Sequence, residues 1–341
     1  MEGGPMATIK QIAEKTGYSQ STVSIVLRNR AEERKIPEKT QRIILQAAKE
    51  LNYQPSMAAR RLRSGEQDES LQIALLWAQD FRASMMVRFL KGLRSGIEKM
   101  QLKIHLTVIP YSTGELEKEK LLRSRNGYHG AIICNASEED MKFLHTARLP
   151  VPVVLYNRES EQYSTVCMDN AGIGQMAAEI LKQGGSRRVQ MFASAAKFPG
   201  AEKRDAAFEQ RAKELGLEVM PVIFCESSRE QGRSIIINLS KENLPDGIFC
   251  GSDAIALGVL RGLHEKNVAC PQRVRVLAVG NGEPEAAAFS VPSLSVISLP
   301  MEEMAEECLK MLTDTLTGVQ SGIRSRELPV RMILRESVTV G

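Results

Sequence analysis

Gln20, Ser21, Ser24 and Ile25 share one side of a short helical pattern whose other side is Val23, Val26 and Leu27. A helix face turned to water normally carries Glu and Lys. With Arg28 at its end this one is mostly uncharged, and Gln and Ser can hydrogen-bond base edges in a major groove. Ser19 stands where it can cap this helix. A first helix precedes it, with Thr8 as cap, Gln11 at the capping-box spacing, and Ile9, Ile12 and Ala13 as an apolar stripe. Thr16-Gly17-Tyr18 supplies the tight turn between them. The combination is a helix-turn-helix pattern and points to DNA binding.

Other reactive residue types give no comparable pattern. The histidines at 105, 129, 145 and 264 are scattered, and HExxH, GxSxG and GxxxxGK[ST] motifs are absent. Gly172-Ile173-Gly174-Gln175-Met176-Ala177 matches a GxGxxA dinucleotide fingerprint. The next strand, however, ends at Ala193-Ser194-Ala195-Ala196 without the acid that would hold a ribose, so close helix packing is the better reading of Gly172 and Gly174. The six cysteines, at 134, 167, 225, 250, 270 and 308, form no CxxC and are expected to be reduced, with no metal site and no cofactor. An enzyme is not expected.

The chain that positions these residues has 341 residues, enough for two or three domains, and a net charge of +4. The charge is uneven. Residues 1–65 hold 12 Lys/Arg against 6 Asp/Glu, while the rest is slightly acidic with 33 against 35. A basic head on a near-neutral body suggests that the head alone meets a polyanion. Met1 to Pro5 carry no leader-like apolar run, Met6 is the expected start, and no apolar run reaches membrane-spanning length. A cytoplasmic, nucleoid-associated location follows as the expectation.

A third helix after Pro37 should complete the head, with Ile43, Ala47 and Leu51 as its stripe and Ile44 and Ala48 beside them. Residues 54–65, QPSMAARRLRSG, contain no acid and cluster Arg60, Arg61 and Arg63 around Leu62. Such a segment is too short to be helical alone but suits a minor groove, with arginines on the phosphates and Leu62 as a wedge between base steps. An ordinary basic linker is the alternative. From Leu71 onward, apolar runs at 71–78, 103–111, 130–135, 151–157, 189–194, 219–225, 247–253 and 275–281 alternate with helical stretches at 84–100 and 114–125. This is an α/β pattern with too many strands for one comfortable sheet, hence two parallel-sheet lobes with ligands at the strand carboxyl ends.

TIKQIAEKTGYSQSTVSIVL at 8–27, followed by IPEKT, LNYQPS and AARRLRSG, resembles the head of the lactose-repressor (LacI/GalR-type) transcription factors. The resemblance runs through VVLYNR (153–158), VCMDNAGIGQMAAEIL (166–181), RDAAF (204–208), GSDAIALGVLRGL (251–263), LSVISLP (294–300) and LPVRMILRESV (328–338). It implies a small all-α helix-turn-helix head at 6–53, a hinge helix or linker at 54–66, and a periplasmic-binding-protein-like body. The body would have an N-lobe at 71–167 and 298–317 and a C-lobe at 168–297 and 318–341, joined by three crossovers. It places Gln20, Ser21 and Ile25 at base-reading positions. Thr8, Ser19, Thr22, Ser24, Arg28, Arg34, Lys35 and Tyr53 would lie on the phosphate backbone, and Ala59, Arg60, Arg61, Leu62 and Arg63 in the minor groove.

For the effector, the resemblance implies Arg204 as the grip on hydroxyls or a carboxylate, with Asn157, Trp77, Ser252, Asp253 and Asn281 around it. Capping a helix is the alternative for Asp253, and a place in the core the alternative for Trp77. The chain departs from the family pattern in several places. Ile25 replaces a frequent Arg and favours apolar contact such as a thymine methyl. The loop Asn29–Lys35 is longer than usual and lies either over phosphate or idle on the surface. Gly280, beside Asn281, replaces a sugar-binding acid, Ser227 stands at an aromatic-wall position, and Ala83-Ser84-Met85-Met86 replaces an Asn-Pro-Phe-type turn. The expected function is that of a homodimeric regulator, read as a repressor, binding a pseudo-palindromic double-stranded operator under control of a sugar or related metabolite, without a membrane partner. A solute-binding protein or a sugar-metabolising enzyme with a similar head is the alternative.

Overall fold

The computed structural model describes residues 9–27, 31, 34, 36–51, 70–79, 85–123, 127–195, 198–282, 284–320 and 322–340. Thr8, Arg28, Lys35, Tyr53 and the hinge residues Ala59, Arg60, Arg61, Leu62 and Arg63 lie outside them. Head and body form separate compact units.

In the head, α1 (Ile9–Thr16), α2 (Gln20–Leu27) and α3 (Glu38–Glu50) pack around one small core. Ile12, Val23, Val26, Ile44, Ala47 and Ala48 are buried there. The Gly17 backbone takes φ +72°, which its missing Cβ permits, and this turns the chain between α1 and α2. Ser19 Oγ accepts the Thr22 N–H at 3.1 Å and so caps α2 as expected. The phase of α3 differs from the expectation. Ile43 is exposed, and the buried stripe runs Ile44, Ala47, Ala48 with Leu51 packed against it. Those positions follow the i, i+3, i+4, i+7 rule, from which Ile43 stands about 100° away.

The body begins with β1 (Leu71–Gln79), α4 (Met86–Met100), β2 (Ile104–Ser112), β3 (Gly130–Cys134), α5 (Glu138–Thr146), β4 (Val153–Tyr156) and β5 (Ser164–Met168). The chain then passes through α6 (Asn170–Gln183), β6 (Arg188–Ser194), α7 (Pro199–Glu214), β7 (Glu218–Val219), β8 (Ile223–Cys225), α8 (Arg229–Asn238), β9 (Gly247–Cys250), α9 (Asp253–Glu265), β10 (Arg275–Gly280), α10 (Pro284–Ala288) and β11 (Ser295–Ser298). It closes with α11 (Met301–Thr317), β12 (Ser325–Leu328) and β13 (Arg331–Ile333).

Two sheets result. The first has the order β12-β5-β4-β3-β1-β2 and is parallel throughout. The second has the order β13-β11-β10-β9-β6-β7, with β8 also on β6, and only β13 runs antiparallel. The central strands are buried on both faces, as crossover helices require. Helices pair on these sheets, α6 with α7, α8 with α9 and α4 with α11.

The chain therefore passes between lobes after β5, after β11 and after β12. The last passage corrects the expected boundary. Residues 318–328 belong with the N-lobe, because β12 pairs with β5 from Ser325↔Thr165 to Leu328↔Met168. Two further expectations fail locally. The described residues 114–123 of the expected helix at 114–125 form only short 3-10 turns, Leu116–Lys118 and Lys120–Arg123. The Asp140 carboxylate accepts the Gly114 and Leu116 N–H groups at 3.2 and 3.0 Å, a local alternative to helical bonding. The strand at 219–225 is split, since Pro221 lacks an N–H to continue the ladder.

Gly172 and Gly174 serve helix geometry. Asp169 caps α6 by accepting the Gly172 N–H at 2.7 Å. A Cβ on Gly174 would lie 2.2 Å from the Arg204 carbonyl oxygen of α7. The six cysteines are free thiols.

Candidate functional site

On the head, Val23 and Val26 hold α2 against α1 and α3, which leaves Gln20 and Ser21 exposed and Ser24 and Ile25 half-buried at its outer side. Ser19 and Thr22 bond each other through their hydroxyls at 2.8 Å, so the start of this face is fixed. Arg34 is exposed on the following loop. Lys15 of α1 and Glu50 of α3 pair at 2.8 Å across the head surface. The result is a rigid, uncharged, hydrogen-bonding helix face in a basic segment.

In the body, the carboxyl ends of both sheets meet at one cavity. Asn135 follows β3, Tyr156 and Asn157 end β4, and Met168 ends β5; Ser194, Ser227, Gly251, Asn281 and Leu299 close strands of the other lobe. Phe198, Ala201, Arg204 and Asp205 enter from α7, and Met85 from the start of α4. Asn135 and Asn157 both adopt positive φ, 62° and 52°, at their strand ends. Asn tolerates that region better than most residues, and it turns the chain at the cavity wall.

Arg204 is 4% exposed and donates from Nη2 to Asn170 Oδ1 at 2.9 Å. Burial pushes its guanidinium down to about 10, with the neighbouring Asp205 charge opposing. Burial also pushes the Asp205 carboxyl up to about 6, against the pull of Arg204. Ser227 Oγ donates to Ser194 Oγ at 3.2 Å at the strand ends of the same lobe. Arg88 of α4 reaches across the lobes, donating to the Gly280 and Leu299 carbonyls at 3.3 and 3.0 Å and pairing with Glu302 at 2.7 Å. Among the described residues no His, Cys, Asp and Glu cluster could hold a metal, and no helix is long and apolar enough to cross a membrane.

Residues 162–338 match the family described as periplasmic binding protein-like domain. Residues 8–56 match bacterial regulatory proteins, lacI family. The chain belongs to the LacI family of transcriptional regulators. Along nearly its full length it resembles the HTH-type transcriptional regulator GanR of Bacillus subtilis (24% identity, 98% of this chain, 100% of the relative). It likewise resembles the HTH-type transcriptional repressor PurR of Salmonella typhi (26% identity, 98% of both chains). A LacI family transcription regulator from Clostridium acetobutylicum superposes with TM-score 0.74 at 28% identity, covering 78% of this chain and 99% of that one. The lac repressor dimer bound to operator and the anti-inducer ONPF shares the fold, with TM-score 0.69 at 20% identity over 98% of this chain and 99% of that one.

In this LacI-family regulator Arg204, Asn157 and Asn281 line the cavity. Three residues expected there do not. Trp77 is 2% exposed in the N-lobe core, edge-on to Phe89 with ring centroids 5.5 Å apart. Ser252 is buried and caps α9, accepting the Ile255 N–H at 3.3 Å. It takes the capping place considered for Asp253, which is the first helical residue. The Asp253 carboxylate, held above the usual range by burial, instead accepts the Gly282 N–H at 2.8 Å and so fixes the loop beside Asn281. Sequence reasoning missed Asp205, Phe198, Tyr156 and Arg88. The first lay inside a charged helical run, and only its adjacency to Arg204 could have flagged it.

Proposed function

We propose that this regulator is a homodimeric, sequence-specific repressor whose operator affinity is set by a small molecule held in the inter-lobe cavity. The observation that carries the DNA reading is the exposed, uncharged face of α2, with Gln20 and Ser21 outward on a capped helix. Two such heads select a pseudo-palindrome, since a two-fold protein matches two-fold DNA. Gln20, Ser21 and Ile25 read bases in the major groove. Thr8, Ser19, Thr22, Ser24, Arg28, Arg34, Lys35 and Tyr53 track phosphates, and Arg60, Arg61 and Arg63 flank Leu62 in the central minor groove beside Ala59. The protein acts by binding, in the cytoplasm, with no chemical turnover. Arg204 anchors the effector with Asn157 and Asn281, and closure of the lobes on it changes the hinge geometry, a coupling of about 1–3 kcal/mol.

In-vitro selection of bound DNA by the full chain tests this reading. The wild type should enrich one two-fold motif, and Gln20→Ala should relax one or two positions per half-site, each base contact being worth about 1–3 kcal/mol. Enrichment of no sequence over random DNA, with and without metabolites, would overturn it.

A further inference from the structure

Arg204 and Asp205 are consecutive on α7, and both line the cavity. Among the described residues no ion pair forms between them, and Arg204 Nε is buried without a hydrogen-bond partner. Among the described residues no hydrogen bond reaches the half-buried Asp205 carboxylate. Other buried acids of the body differ. Asp140 accepts three backbone N–H groups, from Gly114, Leu116 and Ser137, and Asp253 accepts that of Gly282. Burying a charged group unpaired is costly, and structures avoid it unless a ligand completes the site.

We infer that Asp205 is a second charged anchor and that the effector is a small zwitterion of the amino-acid class, its carboxylate on Arg204 and its ammonium on Asp205. The inference rests on the cavity being the effector site. A neutral sugar could hydrogen-bond both groups but would cancel neither charge, whereas a zwitterion pairs each with its opposite. The rest of the wall fits the same class. Met85, Met168, Phe198 and Leu299 present apolar surface to an aliphatic side chain.

The test is calorimetric titration of the full chain with each standard L-amino acid, and separately with neutral monosaccharides and polyols. At least one amino acid should bind the wild type, and its 2-hydroxy-acid counterpart, lacking the amine, should bind about tenfold or more weakly. Asp205→Asn should lose a similar factor for the amino acid and almost none for the hydroxy acid, because amine and carboxylate act as one pair. A cooperative melt at or above the wild-type midpoint shows that the unliganded variant folds. If no amino acid binds, or if Asp205→Asn leaves the affinity of the amino acid unaltered, the inference is overturned. A neutral sugar that binds wild type and Asp205→Asn alike but fails with Arg204→Ala overturns the zwitterion and keeps the cavity as effector site. The same sugar binding Arg204→Ala normally removes that reading too.

Discussion

Gly174→Ala is the sharpest perturbation of the body. The added methyl would lie 2.2 Å from the Arg204 carbonyl oxygen, 2.7 Å from the Phe208 nitrogen and 3.1 Å from the Ala207 Cβ. The first distance falls about 1.3 Å short of ordinary contact. Two of the three atoms are backbone, so no rotamer change relieves the clash, and α6 and α7 must move apart. Overpacking of this kind costs about 1–3 kcal/mol, and its rigidity puts this case at the upper end. Alanine returns about 1 kcal/mol through helix propensity. The net expectation is a destabilisation of about 2 kcal/mol. Urea unfolding followed by the fluorescence of Trp77, the sole tryptophan and a core residue, should show the midpoint fall by about 0.5 M with the slope unchanged. Because α7 carries Arg204 and Asp205, effector affinity should fall as well. A variant as stable as the wild type, or one stabilised by the propensity gain alone, would refute the packing argument.

Asp205→Asn should stabilise the unliganded protein near pH 7.5. The native carboxyl, at about 6, lies above its ordinary 3.8, so ionisation opposes folding, and wild-type stability falls as pH rises between those values. The full shift corresponds to about 3 kcal/mol, and partial solvent access reduces this to about 1–2 kcal/mol. The advantage of the variant should shrink by pH 5, and a pH-independent gap in urea midpoints would count against the assignment. Ser19→Ala should destabilise the head by about 1 kcal/mol through loss of the bond to Thr22 N, seen as faster amide exchange in α2; unaltered exchange would contradict it. Arg34→Ala should lower the salt slope of operator binding by about one unit without changing the selected motif. Arg204→Ala should abolish the effector response while operator affinity without effector stays within about threefold, corresponding to less than 1 kcal/mol; a normal response would exclude Arg204 as a contact.

The head was legible because its signals are local. Gly17 and Ser19 mark the turn and the cap within the segment they control. The phase of α3 was less so, since Ile43 and Ile44 are adjacent and each begins a plausible stripe. Most body strands showed as apolar runs, but β12 did not, because Ser-Arg-Glu-Leu is polar and largely exposed and pairs only at a sheet edge. The turns at 116–123 depend on Asp140, a residue that lies beyond the next strand and that no local window contains. Of the cavity, residues at strand ends could be placed by topology, whereas Asp205 could not. Its setting is created by the burial of its helical neighbour and by a lobe reached through a different part of the chain.

Three separate chain passages, after Met168, Ser298 and Leu328, tie the lobes together. A single tether would let the halves swing and twist in any direction. A triple one resists torsion and sliding and leaves bending about one axis as the easiest movement. Whatever settles between the halves can then be registered as a single angle, so a ligand of few atoms is enough to move the whole body along one defined path.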